Sequence, residues 1–191
     1  MTDYRLILAS QSPRRQQLLK QLGCEFEVRL KETDETVPTS IPARQVSMFL
    51  AEKKANTFKN DLQSNELLIT ADTIVILDEE ILNKPKDEEE AFEMLSKLSG
   101  RVHEVVTGFS LTSIDKQFTD SDTSLVFFRK LNREEISFYI KNYQPFDKAG
   151  SYGAQDWIGM VGIERIEGSY FNVMGLPVHK LYQALQNFKY F

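Results

Sequence analysis

The run Glu66-Leu67-Leu68-Ile69-Thr70-Ala71-Asp72-Thr73-Ile74-Val75-Ile76-Leu77 constrains this chain more than any other segment. Its near-continuous apolar content suits a central strand covered on both faces, the kind that α/β sheets carry in their interior. One residue breaks the pattern. An ionised carboxylate at Asp72, buried in such a strand, costs several kcal/mol unless a cation or metal faces it. The alternative is that Asp72 stands at a strand end, where backbone N–H groups satisfy it.

The segments around this strand are punctuated clearly. Residues 5–9 (RLILA) read as a short buried strand. Ser12 is a good N-cap and Pro13 a good first helical residue, for a helix with Leu18, Leu19 and Leu22 as its apolar stripe and Gly23 as its stop. A second strand over 26–30 leads to an acidic loop with Glu32, Asp34 and Glu35, and a long helix is expected over 42–59. Asp78-Glu79-Glu80 should turn the central strand back through Ile81-Leu82, and Asp87 with Glu90 resembles a capping box for a helix to Leu98. Strands over 101–114 and 118–128, a helix capped by Asn132, a loop over 148–153, a hairpin over 163–173 and a last helix from Pro177 complete the expectation. Strands and helices alternate early and strands pair late, so the fold class is α/β with a mixed, twisted sheet flanked by helices. At 191 residues the chain fits a single domain over 1–191, in one lobe or two.

Composition narrows the function. With 41% hydrophobic and 27% charged residues the chain builds a sizeable core and is not disordered. No apolar stretch approaches the ~20 residues of a membrane helix, and Met1-Thr2-Asp3-Tyr4-Arg5 carries no signal-peptide pattern. The single cysteine, Cys24, leaves neither an internal disulfide nor a zinc cluster, which points to the cytoplasm. A net charge of −5 argues against nucleic acid as a partner. An acidic protein that binds an anion must concentrate its cations in one place or employ a metal.

Several cations and polar groups are placed for that. A helix N-terminus directly after a strand presents free N–H groups, a natural phosphate site. There Ser10 and Ser12 add hydroxyls, while Arg14 and Arg15 are either two guanidinium forks for phosphate oxygens or solvated arginines on an ordinary capped helix. Lys54 fills the gap in the stripe Val46, Leu50 and Phe58; it either snorkels to solvent or meets an anion. Lys84-Pro85 is a surface turn or a phosphate contact, and the small residues before Gln155 form a plain loop or let the backbone approach a ligand whose base edge Gln155 reads. His103 and His179 lie far apart in sequence and neither has a neighbouring nucleophile.

Taken together these pieces resemble the Maf family of nucleotide pyrophosphatases, also named septum-formation inhibitors. The motifs that carry the resemblance are Ala9-Ser10-Gln11-Ser12-Pro13-Arg14-Arg15, Ala71-Asp72-Thr73, Lys84-Pro85, Leu98-Ser99-Gly100, Asp147 through Gln155, Ile166 through Tyr170, and Gly175-Leu176-Pro177. They stand in the family order and span almost the whole chain. The resemblance implies a deep cleft in a fold shared with the inosine-triphosphate pyrophosphatases, a homodimer, and hydrolysis of a nucleoside triphosphate between its α and β phosphates with Mg²⁺ or Mn²⁺. It implies Asp72 as proton acceptor, Glu35 as a catalytic or metal-linked carboxylate, and Arg15, Lys54 and Lys84 around the phosphates. Arg14, Thr73 and Gln155 fall at positions tied to substrate choice, and Tyr152-Gly153-Ala154-Gln155 resembles the branch that prefers dTTP and UTP. Asp72 and Glu35 together supply oxygen ligands of the kind Mg²⁺ prefers. The rival expectation is a nucleotide-binding regulator of cell division with slow or incidental hydrolysis; a generic phosphatase would instead release orthophosphate.

Overall fold

The computed structural model describes residues 4–191; Met1, Thr2 and Asp3, on which the expectation about a leader pattern falls, lie outside the described residues. The central strand is β3, Glu66–Leu77, and every residue in it is buried except Asp72 and Thr73. Strand β1, Arg5–Leu8, runs parallel to it with Leu6 opposite Leu67, and β2, Phe26–Val28, runs parallel to β1 with Leu6 opposite Phe26. A two-residue turn at Asp78 and Glu79, with φ of 48° and 69°, folds β3 back onto the antiparallel strand β4, Glu80–Leu82. Positive φ at both central residues matches the twist of a tight hairpin, and non-glycine residues adopt it here at some cost. With β5 (Val102–Thr112), β6 (Gln117–Phe128) and β7 (Ile163–Glu167) the sheet reaches seven strands in the order β2-β1-β3-β5-β6-β7, with β4 on β3. Parallel pairs at one edge and an antiparallel β6–β7 pair at the other make it mixed, as the sequence leads one to expect.

The chain divides into two compact units. The first comprises Met1–Thr73, Thr107–Asp122 and Gly175–Phe191. In it, helix α1 (Pro13–Gln21) starts at Ser12, whose hydroxyl accepts the Arg15 N–H, and stops before Gly23. Helix α2 (Val46–Asn56) is shorter than the sequence suggests at both ends, because residues 43–45 tighten into a 3-10 turn and residues 57–59 leave the helix as turns. Its Ala55, with Phe58 beyond it, packs on Ile7 of β1 and Leu68 of β3. Gly108 of β5 makes the close approach of α2 feasible: a Cβ there would lie 2.4 Å from the Met48 nitrogen.

The second unit comprises Ile74–Val106 and Thr123–Met174. Helices α3 (Glu88–Leu98), α4 (Arg133–Tyr143) and α5 (Trp157–Gly162) share a core with Val75, Leu82, Val105 and Phe128. The α4 cap is a full capping box, with Glu135 N–H on the Asn132 side chain and Asn132 N–H on the Glu135 carboxylate. The expected hairpin over 163–173 is not there. Strand β7 ends at Glu167, and Ser169 caps a short helix α6, Tyr170–Val173, by accepting the Asn172 N–H at 3.3 Å. The Asn172 amide donates to Val105 O at 3.0 Å and Ser124 Oγ at 2.9 Å, long-range bonds that a local reading cannot supply. Helix α7 (Val178–Asn187) closes the chain in the first unit. Among the described residues no helix is long and apolar enough to cross a membrane.

Candidate active site

The cluster builds from β3 outward within the first unit. Asp72 lies inside β3, not at its end, and its partner is a lysine. Lys54, in the last turn of α2, donates to Asp72 Oδ1 at 2.6 Å and reaches Glu35 Oε1 at 2.8 Å. The side chains of Lys54 and Asp72 keep only 17% and 15% of their surface, so neither charge is left to water alone. The lysine that interrupts the apolar stripe of α2 is turned to an anion instead of snorkelling outward.

Glu35 is 57% exposed and comes from a stretch without regular structure, so something must hold it. The residue before it does. Asp34 Oδ1 accepts the Thr36 N–H at 2.9 Å and the Thr36 hydroxyl at 2.6 Å, and Oδ2 accepts from Lys53 at 2.8 Å. The Lys53 hydrogen bond, then the Thr36 hydroxyl and N–H, hold the Asp34 carboxyl well below the usual carboxylate range. Adjacent lysines on α2 therefore grip adjacent acids of the loop.

Arg15 braces the other side. Its Nε donates to Gly175 O at 2.7 Å, one terminal nitrogen to Ala71 O at 3.0 Å and Ser10 Oγ at 3.3 Å, and the other to Thr73 Oγ1 at 2.9 Å. Four donor contacts thus go to protein atoms, and two of them hold the residues on either side of Asp72. The fork that the sequence offers to phosphate oxygens is spent largely on the protein. Burial depresses the Arg15 pKa; Asp72 opposes that shift, Arg14 adds to it and Glu35 opposes it. Gly175, at φ +108°, adopts a conformation that favours glycine and delivers its carbonyl to Arg15. Thr73 Oγ1 also lies 2.9 Å from Thr107 Oγ1. Thr107 and the Gly175 carbonyl escape a local reading, since a strand threonine and a loop glycine carry no mark of such contacts.

Ser10, Arg15, Glu35, Lys54, Asp72 and Thr73 are thereby linked in one group, with Arg14 next to Arg15 in the first turn of α1. Lys84 and Gln155 belong to the second unit. Lys84 is exposed in the loop after β4. The Gln155 amide donates to Asp156 Oδ1 at 3.0 Å, and its Oε1 is buried without a hydrogen-bond partner among the described residues. Asp156 Oδ2 accepts from the Tyr139 hydroxyl at 2.8 Å, which in turn accepts the Gly153 N–H at 3.1 Å, so the Gln155 loop is anchored from beneath. His103 is part of the second core, 2.6 Å from the Tyr152 hydroxyl, and burial pushes its pKa down to about 3. Cys24 is buried, and burial pushes its thiol up to about 11, as inert packing requires.

Fold and cluster define an α/β protein that sets a carboxylate in its central strand and gathers lysine and arginine around it. The chain belongs to the Maf-like protein family, whose model matches residues 5–188. It is 50% identical over 183 residues to a dTTP/UTP pyrophosphatase of Flavobacterium psychrophilum, covering 96% of this chain and 94% of that one. Proteins of the same name from Phocaeicola vulgatus and Parabacteroides distasonis are 49% and 48% identical, covering 97% and 98% of this chain and 97% and 98% of theirs. A solved nucleoside-triphosphatase / dITP/XTP pyrophosphatase from Mycobacterium abscessus aligns at a TM-score of 0.39 and 12% identity, over 65% of this chain and 72% of that one.

Proposed function

We propose that this chain is a nucleoside triphosphate pyrophosphatase that hydrolyses dTTP and UTP to the monophosphate and pyrophosphate. Relatives about half identical over nearly the full length carry that name. The observation that carries the chemistry is Asp72, a carboxylate inside an apolar strand with one oxygen on Lys54 and both neighbours braced by Arg15.

In the proposed reaction a water attacks the α-phosphorus in line, the bond to the β-phosphate oxygen breaks, and pyrophosphate leaves. Asp72 Oδ2, which accepts no hydrogen bond among the described residues, takes the proton of the attacking water. Lys54, with Arg14 and the remaining donor capacity of Arg15, offsets charge that gathers on the phosphates. We assign Lys84 to phosphate binding, and Thr73 and Gln155 to substrate choice, as roles to be tested residue by residue.

We propose that Asp72 and Glu35 are the residues that would hold a divalent metal, with substrate phosphates supplying the remaining oxygens. Their oxygens converge on one cation, the Lys54 ammonium, so the geometry already brings two carboxylates to a common point. Mg²⁺ is commonly held by one or two carboxylates with substrate phosphates completing its shell. When bound, Mg²⁺ or Mn²⁺ would supply Lewis acidity toward the phosphate oxygens and the water. We further propose a homodimer in the cytoplasm, with neither nucleic acid nor membrane as a partner; light scattering on the purified protein tests the dimer.

The deciding experiment is a product assay over a panel of nucleotides with Mg²⁺ or Mn²⁺. Pyrophosphate and monophosphate from dTTP and UTP are expected. Orthophosphate as the product, or tight binding without turnover, would overturn the reading and favour a phosphatase or a regulator.

A further inference from the structure

The Lys54 ammonium stands between the two carboxylates proposed to hold the metal. It lies within hydrogen-bond distance of both, 2.6 Å from Asp72 and 2.8 Å from Glu35. Lys53 fastens Asp34, so Glu35 is presented to Lys54 by a loop already pinned to the same helix. The charge count points the same way. Asp72 and Glu35 are matched by Lys54 and Arg15, whose guanidinium holds Ala71 and Thr73 on either side of Asp72, and Arg14 adds a further cation beside Arg15. Such a cluster has no surplus negative charge to draw a dication from water. Nor does it offer enough oxygen ligands: among the described residues no group of three or more His, Cys, Asp or Glu side chains converges for a metal. A metal–triphosphate chelate differs on both counts, because it is still anionic and brings its own phosphate oxygens.

We propose that in the ligand-free protein Lys54 acts as a resident cation between Asp72 and Glu35, and that the divalent metal enters only as a chelate with the triphosphate. The phosphates then draw the ammonium off the carboxylates, and the same two carboxylates become available as the ammonium leaves. Lys54 thereby keeps the free site closed to metal and couples metal entry to substrate entry. This inference rests on the pyrophosphatase reading, which the product assay tests separately.

The test uses Mn²⁺ as probe, with free Mn²⁺ followed by its electron paramagnetic resonance signal. Wild-type protein without nucleotide is expected to bind Mn²⁺ no more tightly than about 1 mM. Addition of α,β-methylene-UTP, which cannot be cleaved at that bond, should produce one bound Mn²⁺ per chain beyond what the analogue binds alone. Lys54→Met, confirmed as folded by circular dichroism, should bind Mn²⁺ without nucleotide about tenfold or more tightly than wild type. Micromolar binding of Mn²⁺ to the nucleotide-free wild type would overturn the proposal, even if Lys54→Met does not fold. An unchanged Mn²⁺ affinity in folded Lys54→Met would overturn it too. Neither result bears on whether pyrophosphate is the product, so failure of this idea and failure of the functional reading remain distinguishable.

Discussion

Asp72→Asn exchanges one carboxylate oxygen for an amide nitrogen and keeps the side-chain volume, so it separates the chemical role of Asp72 from its structural one. In the fold Asp72 makes its 2.6 Å contact with Lys54, and Lys54 keeps a second anionic partner in Glu35 at 2.8 Å. A unit charge pair at about 4 Å and an effective dielectric of about 20 is worth roughly 4 kcal/mol. Both groups retain some solvent contact, and removing the carboxylate also removes its desolvation cost of several kcal/mol. The two nearly cancel, and the asparagine oxygen can still accept from Lys54. Net destabilisation should be about 1 kcal/mol, which for a chain of this size lowers Tm by roughly 2–4 °C. Activity should behave otherwise: an amide cannot take a proton from water, and pyrophosphate release should fall about a hundredfold or more. The assays are calorimetry and steady-state pyrophosphate production from dTTP and UTP on the same preparation. Activity within about tenfold of wild type would refute Asp72 as the proton acceptor. A loss of folding would refute the cancellation argued from Lys54 and Glu35.

Arg15→Lys should destabilise by about 3 kcal/mol, because a single ammonium cannot serve Gly175 O, Ala71 O, Ser10 Oγ and Thr73 Oγ1 together; urea unfolding with no midpoint shift would show that the brace is idle. His103 stays neutral in the fold down to about pH 3 but protonates near ~6.5 when unfolded. Its contribution is therefore complete above about pH 6.5 and is lost as pH falls, by about 2 kcal/mol on reaching about pH 5. His103→Phe should remove that part of the acid limb, and parallel pH–stability curves for the two proteins would count against it. Gln155→Ala should blunt discrimination among nucleotides, read as the ratio of kcat/KM values across the panel; an unchanged ratio takes Gln155 out of base selection. Cys24 should react slowly with thiol reagents in native protein at pH 8 and rapidly after unfolding.

What was legible in the sequence is what local chemistry decides. Twelve residues of nearly unbroken apolar character could only be a covered strand, and β3 is that strand over the same bounds. Ser12, Asp87 and Asn132 each cap a helix through a side-chain oxygen that bonds a backbone N–H a few residues on, so their signals are contained in short stretches. Where local pattern misleads, the deciding contact is distant. The segment over 163–173 has the look of a hairpin, but Asn172 finds Val105 and Ser124, and a helix turn forms there instead.

The same division runs through the candidate site. Sequence alone singled out Asp72 as a charge that needed a cation and Lys54 as a charge in an apolar stripe, because each violates the pattern around it. It could not say that they answer each other across eighteen positions, since pairing depends on α2 seating against β1 and β3 with Gly108 allowing the approach. Arg15 shows the opposite case. Its residue type suits a phosphate, yet acceptors from Ser10, Ala71, Thr73 and Gly175 surround it and claim most of its donors. Composition and periodicity determine which residues must be buried, capped or compensated; only the tertiary structure determines by what, because a hydrogen bond or ion pair depends on distance in space and not on separation along the chain.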